Sequence, residues 1–294
     1  MVASTRCQQG AACVMKISFI VLTYNRTDAL LAVLRSLAEQ CDGTHEVLIA
    51  DDGSRQDQVE MLYERCPAFK CPVRHLWHPD VGFTASRARN LAAHHARGEY
   101  LVFLDGDCIP NRAFVAQHTV LAEAGFFVNG SRVLLSQRLT SQVINEAIDL
   151  PHCPAWFWLR ARFRGDCNKV LHLVVWPWFI FRVQQGFKWR GIRSCNFGVW
   201  QRDFIGVNGF DETFQGWGHE DADLALRLSH LGIQRKNGFM ATEVFHLWHP
   251  ESKRDQESVN KNRVMQRMHT DLIEAEKGLR ELDTSLPLKI TQLN

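Results

Sequence analysis

Strand-like and helix-like segments alternate along the first part of the chain, and this alternation limits the fold more than any other feature of the sequence. Residues 16–23, KISFIVLT, form an almost continuous apolar run of the kind found in strands buried on both faces. A helical pattern follows, and the alternation repeats up to residue 104. Connections of this kind predict a doubly wound, mostly parallel α/β sheet flanked by helices.

Three of the predicted strands end in polar residues that favour loops. These segments are 23–26 (TYNR), 51–54 (DDGS) and 105–107 (DGD). Ligands of parallel α/β sheets bind at the carboxyl ends of the strands. The three segments are therefore expected to converge on one binding site.

Asp105 and Asp107 flank a single glycine directly after the apolar run YLVFL. Two carboxylates this close repel each other unless a cation compensates them. Oxygen ligands suit Mg²⁺ or Mn²⁺, and such an ion would also neutralise a departing diphosphate. A solvated turn is the alternative interpretation, because aspartate and glycine are common turn residues.

A second acidic cluster lies in residues 214–223, FQGWGHEDAD. Glu220 and Asp221 begin a predicted helix, where carboxylates are favoured in any case by the helix dipole. Two glycines around Trp217 predict a bent loop that presents an aromatic face, to which a pyranose ring could bind by stacking. An ionised carboxylate beside that face could remove a proton from a sugar hydroxyl.

Charge is distributed unevenly in this chain of 294 residues. The net charge of +2 gives no electrostatic case for nucleic-acid binding. Residues 151–193, however, hold eight Lys or Arg, one acidic residue and five of the nine tryptophans. This stretch has three open interpretations: a lid packed over the sheet, a contact with a membrane surface, or a site for a phosphorylated acceptor glycan.

Several of these motifs together resemble family-2 inverting nucleotide-sugar glycosyltransferases of the GT-A fold. The motifs are IVLTYNR, VLIADDGS, ASRARN and GEYLVFLDGD. Residues 194–228, which contain GWGHEDAD, are similar to the C-terminal module of β-1,4-galactosyltransferases. The resemblance covers residues 16–250, with the motifs in the expected order.

For the sugar donor, the resemblance implies a nucleoside pocket lined by Thr23, Tyr24 and Arg26. Asp52 matches the carboxylate that binds the uracil edge, which favours a UDP-sugar. Arg89 lies where a basic side chain approaches the donor diphosphate.

For the metal, the resemblance implies that Asp107 is the principal ligand of Mn²⁺ or Mg²⁺ and that Asp105 contacts the ribose or the metal. A metal-binding histidine is also expected. His246 and His249 both qualify, and His246 is preferred because it ends a predicted strand.

For catalysis, the resemblance implies that Asp221 is the base. Glu220 would hold an acceptor hydroxyl or position that base, and Trp217 would line the junction between donor and acceptor.

The expected organisation has five parts. They are a disordered leader (1–15), a nucleotide-sugar-binding half (16–135), an aromatic and basic helical insertion (136–193), an acceptor-binding and catalytic half (194–250) and a C-terminal helical tail (251–294).

The expected function is metal-dependent transfer of a hexose or N-acetylhexosamine to a hydroxyl of a surface glycan, such as a lipopolysaccharide, a capsule or another lipid-linked oligosaccharide. The alternatives are a non-catalytic, membrane-associated glycan-binding protein and a sugar-nucleotide pyrophosphorylase. The latter usually opens with a glycine-rich phosphate loop, which does not follow the first strand here. Without an apolar signal or spanning segment, the expected location is the cytoplasm, including the inner face of the membrane.

Overall fold

The computed structural model describes residues 15–170, 173–178, 181–184, 186–189, 191–250, 255–283 and 285–294. Nearly all of the predicted leader lies outside these residues. The strands are β1 (Ile17–Thr23), β2 (His45–Asp51), β3 (Val73–Trp77), β4 (Tyr100–Asp105), β5 (Cys108–Pro110), β6 (Phe126–Asn129), β7 (Arg132–Leu134), β8 (Val183–Gln184), β9 (Asn196–Trp200), β10 (Gln234–Asn237), β11 (Val244–His246) and β12 (Lys289–Gln292). The α-helices are α1 (Thr27–Gln40), α2 (Gln56–Arg65), α3 (Ala85–His95), α4 (Phe114–Leu121), α5 (Gln137–Ile144), α6 (Ala155–Phe163), α7 (Gln201–Gly206), α8 (Glu220–His230) and α9 (Glu257–Arg267).

Within the described residues, nine strands form one sheet in the order β12-β3-β2-β1-β4-β9-β6-β10-β8. The four strands β3, β2, β1 and β4 are parallel, so their carboxyl ends share one edge. The register pairs Thr23 with Asp51 and Leu22 with Asp105. The predicted α/β sheet is therefore confirmed, and the polar strand ends do meet.

A smaller sheet of β5, β11 and β7 lies beside this edge. Strand β11 runs antiparallel to β5 and places His246 opposite Cys108. Cys108 is the residue that follows Asp107 in the sequence. The backbone N–H of Leu247 also donates to the carbonyl of Asp107, at 2.9 Å. This pairing places the end of β11 next to the loop that follows β4.

Apolar side chains cover both faces of the large sheet. On one face, α1 packs its leucines and Val33 against Phe19, Val21 and the strands beside them. On the other face, α3 and α8 pack against Ile20 and Phe103. Both faces of β1 and β4 are thus buried, which explains why these strands are apolar without alternation.

The structure differs from the sequence prediction mainly at short elements. The short strands β5 and β10 and the short helices α4 and α7 were not predicted as separate elements. Over the described residues 255–283, the helical spacing yields one helix, α9, and the chain then returns to the sheet as β12, antiparallel to β3. Within the described residues, no helix combines the length and apolar character needed to cross a bilayer.

Candidate active site

A cavity of about 400 Å³ lies at the carboxyl edge of the parallel strands. Its lining includes all of the residues predicted for the donor site except Arg89 and Trp217, together with the predicted metal ligand Asp107. These residues are Thr23, Tyr24, Arg26, Asp52, Asp105 and Asp107. A nucleotide-sized ligand would thus meet side chains from three separate strand ends.

Four carboxylates line this cavity, and two of them, Asp52 and Asp80, have different environments. Asp52 is buried and accepts hydrogen bonds from the backbone N–H and the hydroxyl of Thr84, the residue before α3. Burial raises the pKa of Asp52 above its usual value. Asp80, which the sequence reasoning missed, accepts a hydrogen bond of 2.8 Å from the hydroxyl of the half-exposed Tyr24. Tyr24 is therefore held across the mouth of the cavity.

Gly106 allows the loop after β4 to approach β1 closely. Its backbone N–H donates to the carbonyl of Leu22 at 2.7 Å, and a Cβ atom at this position would lie 2.8 Å from the same oxygen. The glycine between the two aspartates is therefore required by a close backbone contact.

Arg89 joins the donor edge to the second acidic cluster. Its guanidinium is buried and lies 2.9 Å from Asp105 and 3.3 Å from Glu220. It comes from α3, whereas the two carboxylates come from β4 and from the first turn of α8. The two acidic motifs, more than a hundred residues apart in the sequence, therefore form one site around this arginine.

Asp221 lies beside Glu220 at the start of α8. One of its carboxylate oxygens accepts the backbone N–H of Ser194 at 3.2 Å. Burial, and then the negative charge of Glu220, raise the pKa of Asp221 to about 7. A base is most effective when its pKa lies near the working pH, so this carboxylate is suited to general-base catalysis.

Trp217 lies in a bent loop, as the flanking glycines predict. Gly216 and Gly218 have φ angles of +69° and +103°, which favour glycine. Asn260 of α9 donates its side-chain amide to the carbonyls of Gln215 and Gly218, both at 3.0 Å. The C-terminal helix thus fixes the loop that carries the tryptophan, a role that no sequence motif indicates.

Asp223 belongs to the same acidic segment but has a structural role. Its carboxylate is fully buried and lies 2.8 Å from Arg227 and 2.6 Å from Arg267 of α9. Arg267 also contacts Asp211 and Glu276. This network anchors α9 against α8.

The donor set around Asp107 fits a divalent metal. One carboxylate oxygen lies 3.3 Å from Nε2 of His249 and 3.8 Å from Nε2 of His246. Burial lowers the pKa of His246, which keeps its imidazole neutral and able to bind a metal. Cys108 also comes close, with its thiol 3.4 Å from Asp107. Burial raises the pKa of that thiol, so it remains protonated and is a poor ligand.

Comparison with known proteins identifies two family models in the chain. The model of glycosyl transferase family 2 matches residues 18–175, more than half of the chain. A model described as the N-terminal domain of galactosyltransferase matches residues 182–250. The two matches follow one another in the order that the motifs predicted.

Two curated relatives are similar over most of the chain. Validoxylamine A glucosyltransferase of Streptomyces hygroscopicus subsp. jinggangensis is 28% identical over 74% of this chain and 52% of its own length. Chondroitin synthase of Escherichia coli is 30% identical over 80% of this chain and 34% of its own length. The chain thus spans about half or less of the length of these relatives.

Solved structures show the same fold at low sequence identity. Residues 1–349 of S. aureus TarS superpose with a TM-score of 0.57 and 14% identity, covering 91% of this chain and 68% of that one. GalNAc-T7, solved with UDP, GalNAc and Mn²⁺, gives a TM-score of 0.54 and 13% identity, covering 87% and 48%. These likenesses confirm the predicted GT-A architecture.

Proposed function

The chain belongs to glycosyl transferase family 2, and from this membership we propose that it is a metal-dependent, inverting hexosyltransferase. The donor is a UDP-linked hexose or N-acetylhexosamine, and the acceptor is a hydroxyl of a surface glycan or of a lipid-linked oligosaccharide. The product belongs to polysaccharide biosynthesis, and the reaction takes place in the cytoplasm.

One observation carries this proposal: Arg89 bridges Asp105 at the donor edge and Glu220 beside Asp221. Transfer requires a bound donor and an acceptor hydroxyl next to a base. The side chain of Arg89 contacts both the carboxylate at the donor edge, Asp105, and the carboxylate next to the base, Glu220. The groups suited to these two tasks therefore lie close together. A glycan-binding protein without activity would need no base with a pKa near 7 at this junction.

In the proposed mechanism, Asp221 takes the proton of the acceptor hydroxyl, and the oxygen attacks the anomeric carbon on the side opposite the UDP. An α-linked donor then gives a β-linked product without a covalent enzyme intermediate. Glu220 holds the acceptor hydroxyl or the base in place, and Arg89 faces the donor diphosphate. Asp107, with His246 or His249, would hold Mn²⁺ or Mg²⁺, whose charge offsets that of the departing diphosphate.

The preference for UDP rests on the donor cavity. Asp52, held by Thr84, is proposed to accept the N–H of the uracil ring, while Thr23, Tyr24 and Arg26 line the nucleoside pocket. GalNAc-T7, which shares the fold, was solved with UDP and Mn²⁺, and this agrees with the nucleotide and metal proposed here.

A donor screen tests the proposed function. Purified protein is incubated with a panel of UDP-sugars, with and without Mn²⁺, and released UDP is measured. Slow release that depends on metal and increases with a glycan acceptor is the expected result. The absence of UDP release with every donor would contradict the enzyme proposal and favour a glycan-binding protein. Formation of UTP and a sugar 1-phosphate, when pyrophosphate is added to the UDP-sugar, would indicate a pyrophosphorylase.

The pH dependence of the transfer rate should follow the ionisation of Asp221. Its pKa is raised to about 7, and only the deprotonated carboxylate can act as a base. The rate should therefore rise about tenfold for each unit by which the pH is raised from 5 toward 7, and it should level off above about pH 8. Measuring kcat from pH 5 to 9 checks this, and a flat profile over pH 5–7 would contradict the assignment of the base.

Helix α6 supports a peripheral contact with a membrane. Its Trp158 is buried and stacks on Phe245, with ring centroids 4.6 Å apart, which fixes the helix to the small sheet. Trp156, Leu159 and Phe163 are exposed, Phe163 to 98%. Exposed arginines accompany them at positions 160, 162 and 164. Aromatic rings beside cations favour an interface with anionic headgroups.

Co-sedimentation with vesicles tests this contact. The wild-type protein should bind vesicles rich in anionic lipid, and the double variant Trp156→Ser/Phe163→Ser should bind about tenfold or more weakly, because two apolar anchors are lost. Ile205→Ser, which changes an exposed apolar residue on α7, is the matched control. Equal binding to neutral and anionic vesicles, or none, would count against the proposal.

A further inference from the structure

A second cavity, of about 260 Å³, lies between the small sheet and the segment before β9. Four of its lining residues are basic, and none is acidic. They are Arg132, Lys169, Arg193 and Arg235. The cavity shares no lining residue with the donor cavity.

Two of these cations have no neutralising partner among the residues that the structure describes. Over the described residues, the side chains of Arg132 and Arg193 form no ion pair and donate no hydrogen bond. Lys169 donates to the hydroxyl of Ser131 at 3.2 Å. Burial lowers the pKa of Lys169, and the charges of Arg193 and Arg132 lower it further. The positive charges therefore repel one another across the cavity.

One carboxylate lies beneath this group and compensates it only in part. Glu243 is fully buried and accepts hydrogen bonds from the hydroxyl of Ser131 and the backbone N–H of Met240. Burial raises the pKa of Glu243 to about 7, so it is partly protonated near neutral pH. Over the described residues, this partly protonated carboxylate thus faces Arg132, Lys169 and Arg193. An anion bound in the cavity would relieve the repulsion among these cations.

We propose that this cavity binds a phosphate group of the acceptor glycan. The inference rests on the proposed function, because it assigns the substrate class of that transfer. A phosphate monoester carries about −1.5 to −2 charges at neutral pH, and arginine guanidinium groups match its oxygens in two-point contacts. A single carboxylate would leave most of the positive charge unbalanced.

The position of the cavity agrees with an acceptor role. Arg193 directly precedes Ser194, whose backbone N–H contacts Asp221. Arg132 pairs with Val244 on β11, the strand that ends at His246. The cavity is thus connected to the base through the residue after Arg193 and to the metal ligand through the pairing of β7 with β11. The acceptor hydroxyl would then be positioned by a charged group on the same glycan.

Binding of inorganic phosphate provides the first test. Titration calorimetry in a phosphate-free buffer compares the wild-type protein with Arg132→Gln/Arg193→Gln. Each arginine removed should weaken binding about tenfold or more, as expected for a charge-assisted hydrogen bond. Arg97→Gln/Arg112→Gln is the matched control, since both of these arginines are exposed and lie outside the cavity. Equal affinity in the two double variants would overturn the proposal.

Two further measurements separate this inference from the function on which it rests. Binding of UDP with Mn²⁺ should be unchanged in Arg132→Gln/Arg193→Gln, which also shows that the variant folds. The KM for a phosphorylated acceptor should rise while the KM for the UDP-sugar stays constant. Glucuronate binding as tightly as phosphate would overturn the phosphate assignment. A wild-type protein that binds phosphate but transfers no sugar would contradict the proposed function alone.

Discussion

Replacing Asp221 by asparagine is expected to lower the rate of sugar transfer about 10²–10⁴-fold, the usual effect of losing a general base. The amide has nearly the same size, and its oxygen can still accept one of the two backbone N–H groups, those of Ser194 and Ala222, that the carboxylate accepts, so the start of α8 should keep its shape with one hydrogen bond fewer. UDP affinity should remain close to that of the wild-type protein, because the donor cavity lies on the other side of Arg89. Steady-state transfer and calorimetric titration with UDP check both parts.

The stability of this variant provides an internal control. The pKa of Asp221 is raised to about 7 in the folded protein, so this group lowers the free energy of unfolding as the pH rises from about 4, the ordinary pKa of the carboxyl in the unfolded chain, to about 7, and has a constant effect above that. Asp221→Asn lacks this titration, so its stability relative to the wild-type protein should increase from pH 4 to pH 7 and stay constant from pH 7 to pH 8. Asp271→Asn, the same substitution at an exposed aspartate, is the matched control and should transfer sugar at the wild-type rate. Transfer by Asp221→Asn within about tenfold of the wild-type rate would exclude Asp221 as the base.

Replacing Asp107 by asparagine is expected to lower transfer by about 10²-fold or more and to abolish the response to Mn²⁺. The charge of the metal contributes several kcal/mol to stabilising a leaving group, and each factor of ten corresponds to about 1.4 kcal/mol. Asp107 is the carboxylate closest to both histidines, so its loss removes the centre of the ligand set. Titration of activity with Mn²⁺ and paramagnetic resonance of bound Mn²⁺ measure the effect.

Single substitutions of the two histidines assign the remaining ligand. His246→Gln should raise the Mn²⁺ concentration required for half-maximal activity more than His249→Gln, because β11 fixes His246 in register with the loop after β4. Asp149→Asn is the control. This aspartate belongs to an exposed cluster with Glu39 and His152, and its substitution should leave the metal response unchanged. Unchanged metal dependence in Asp107→Asn would exclude this site.

The parallel half of the sheet and its functional edge were predictable from the sequence. The strands β1, β2 and β4 are apolar without alternation because both of their faces are buried, and their polar ends mark the edge at which ligands bind. The glycines around Trp217 likewise predicted the bent loop. Local sequence encodes these features directly, through burial and through the backbone conformations that only glycine adopts easily.

Other parts of the site depend on residues that are distant in the sequence. The role of Asn260 was not predictable, because a single asparagine in a charged helix carries no signal until the helix packs against the loop. The basic cavity was hidden for the same reason: Lys169 and Arg193 lie in the basic stretch 151–193, whereas Arg132 and Arg235 join them only through β7 and β10.

The sequence by itself determined the family, the sheet and the residues at the strand ends, since these are properties of local patterns and of motifs in order. Only the tertiary structure decided how they combine. Arg89, expected at the donor diphosphate, also pairs with Asp105 and Glu220, and both histidines come close to Asp107. Ion pairs, shifted pKa values and shared cavities depend on distances between side chains, and strand register and helix packing fix those distances only in the folded chain.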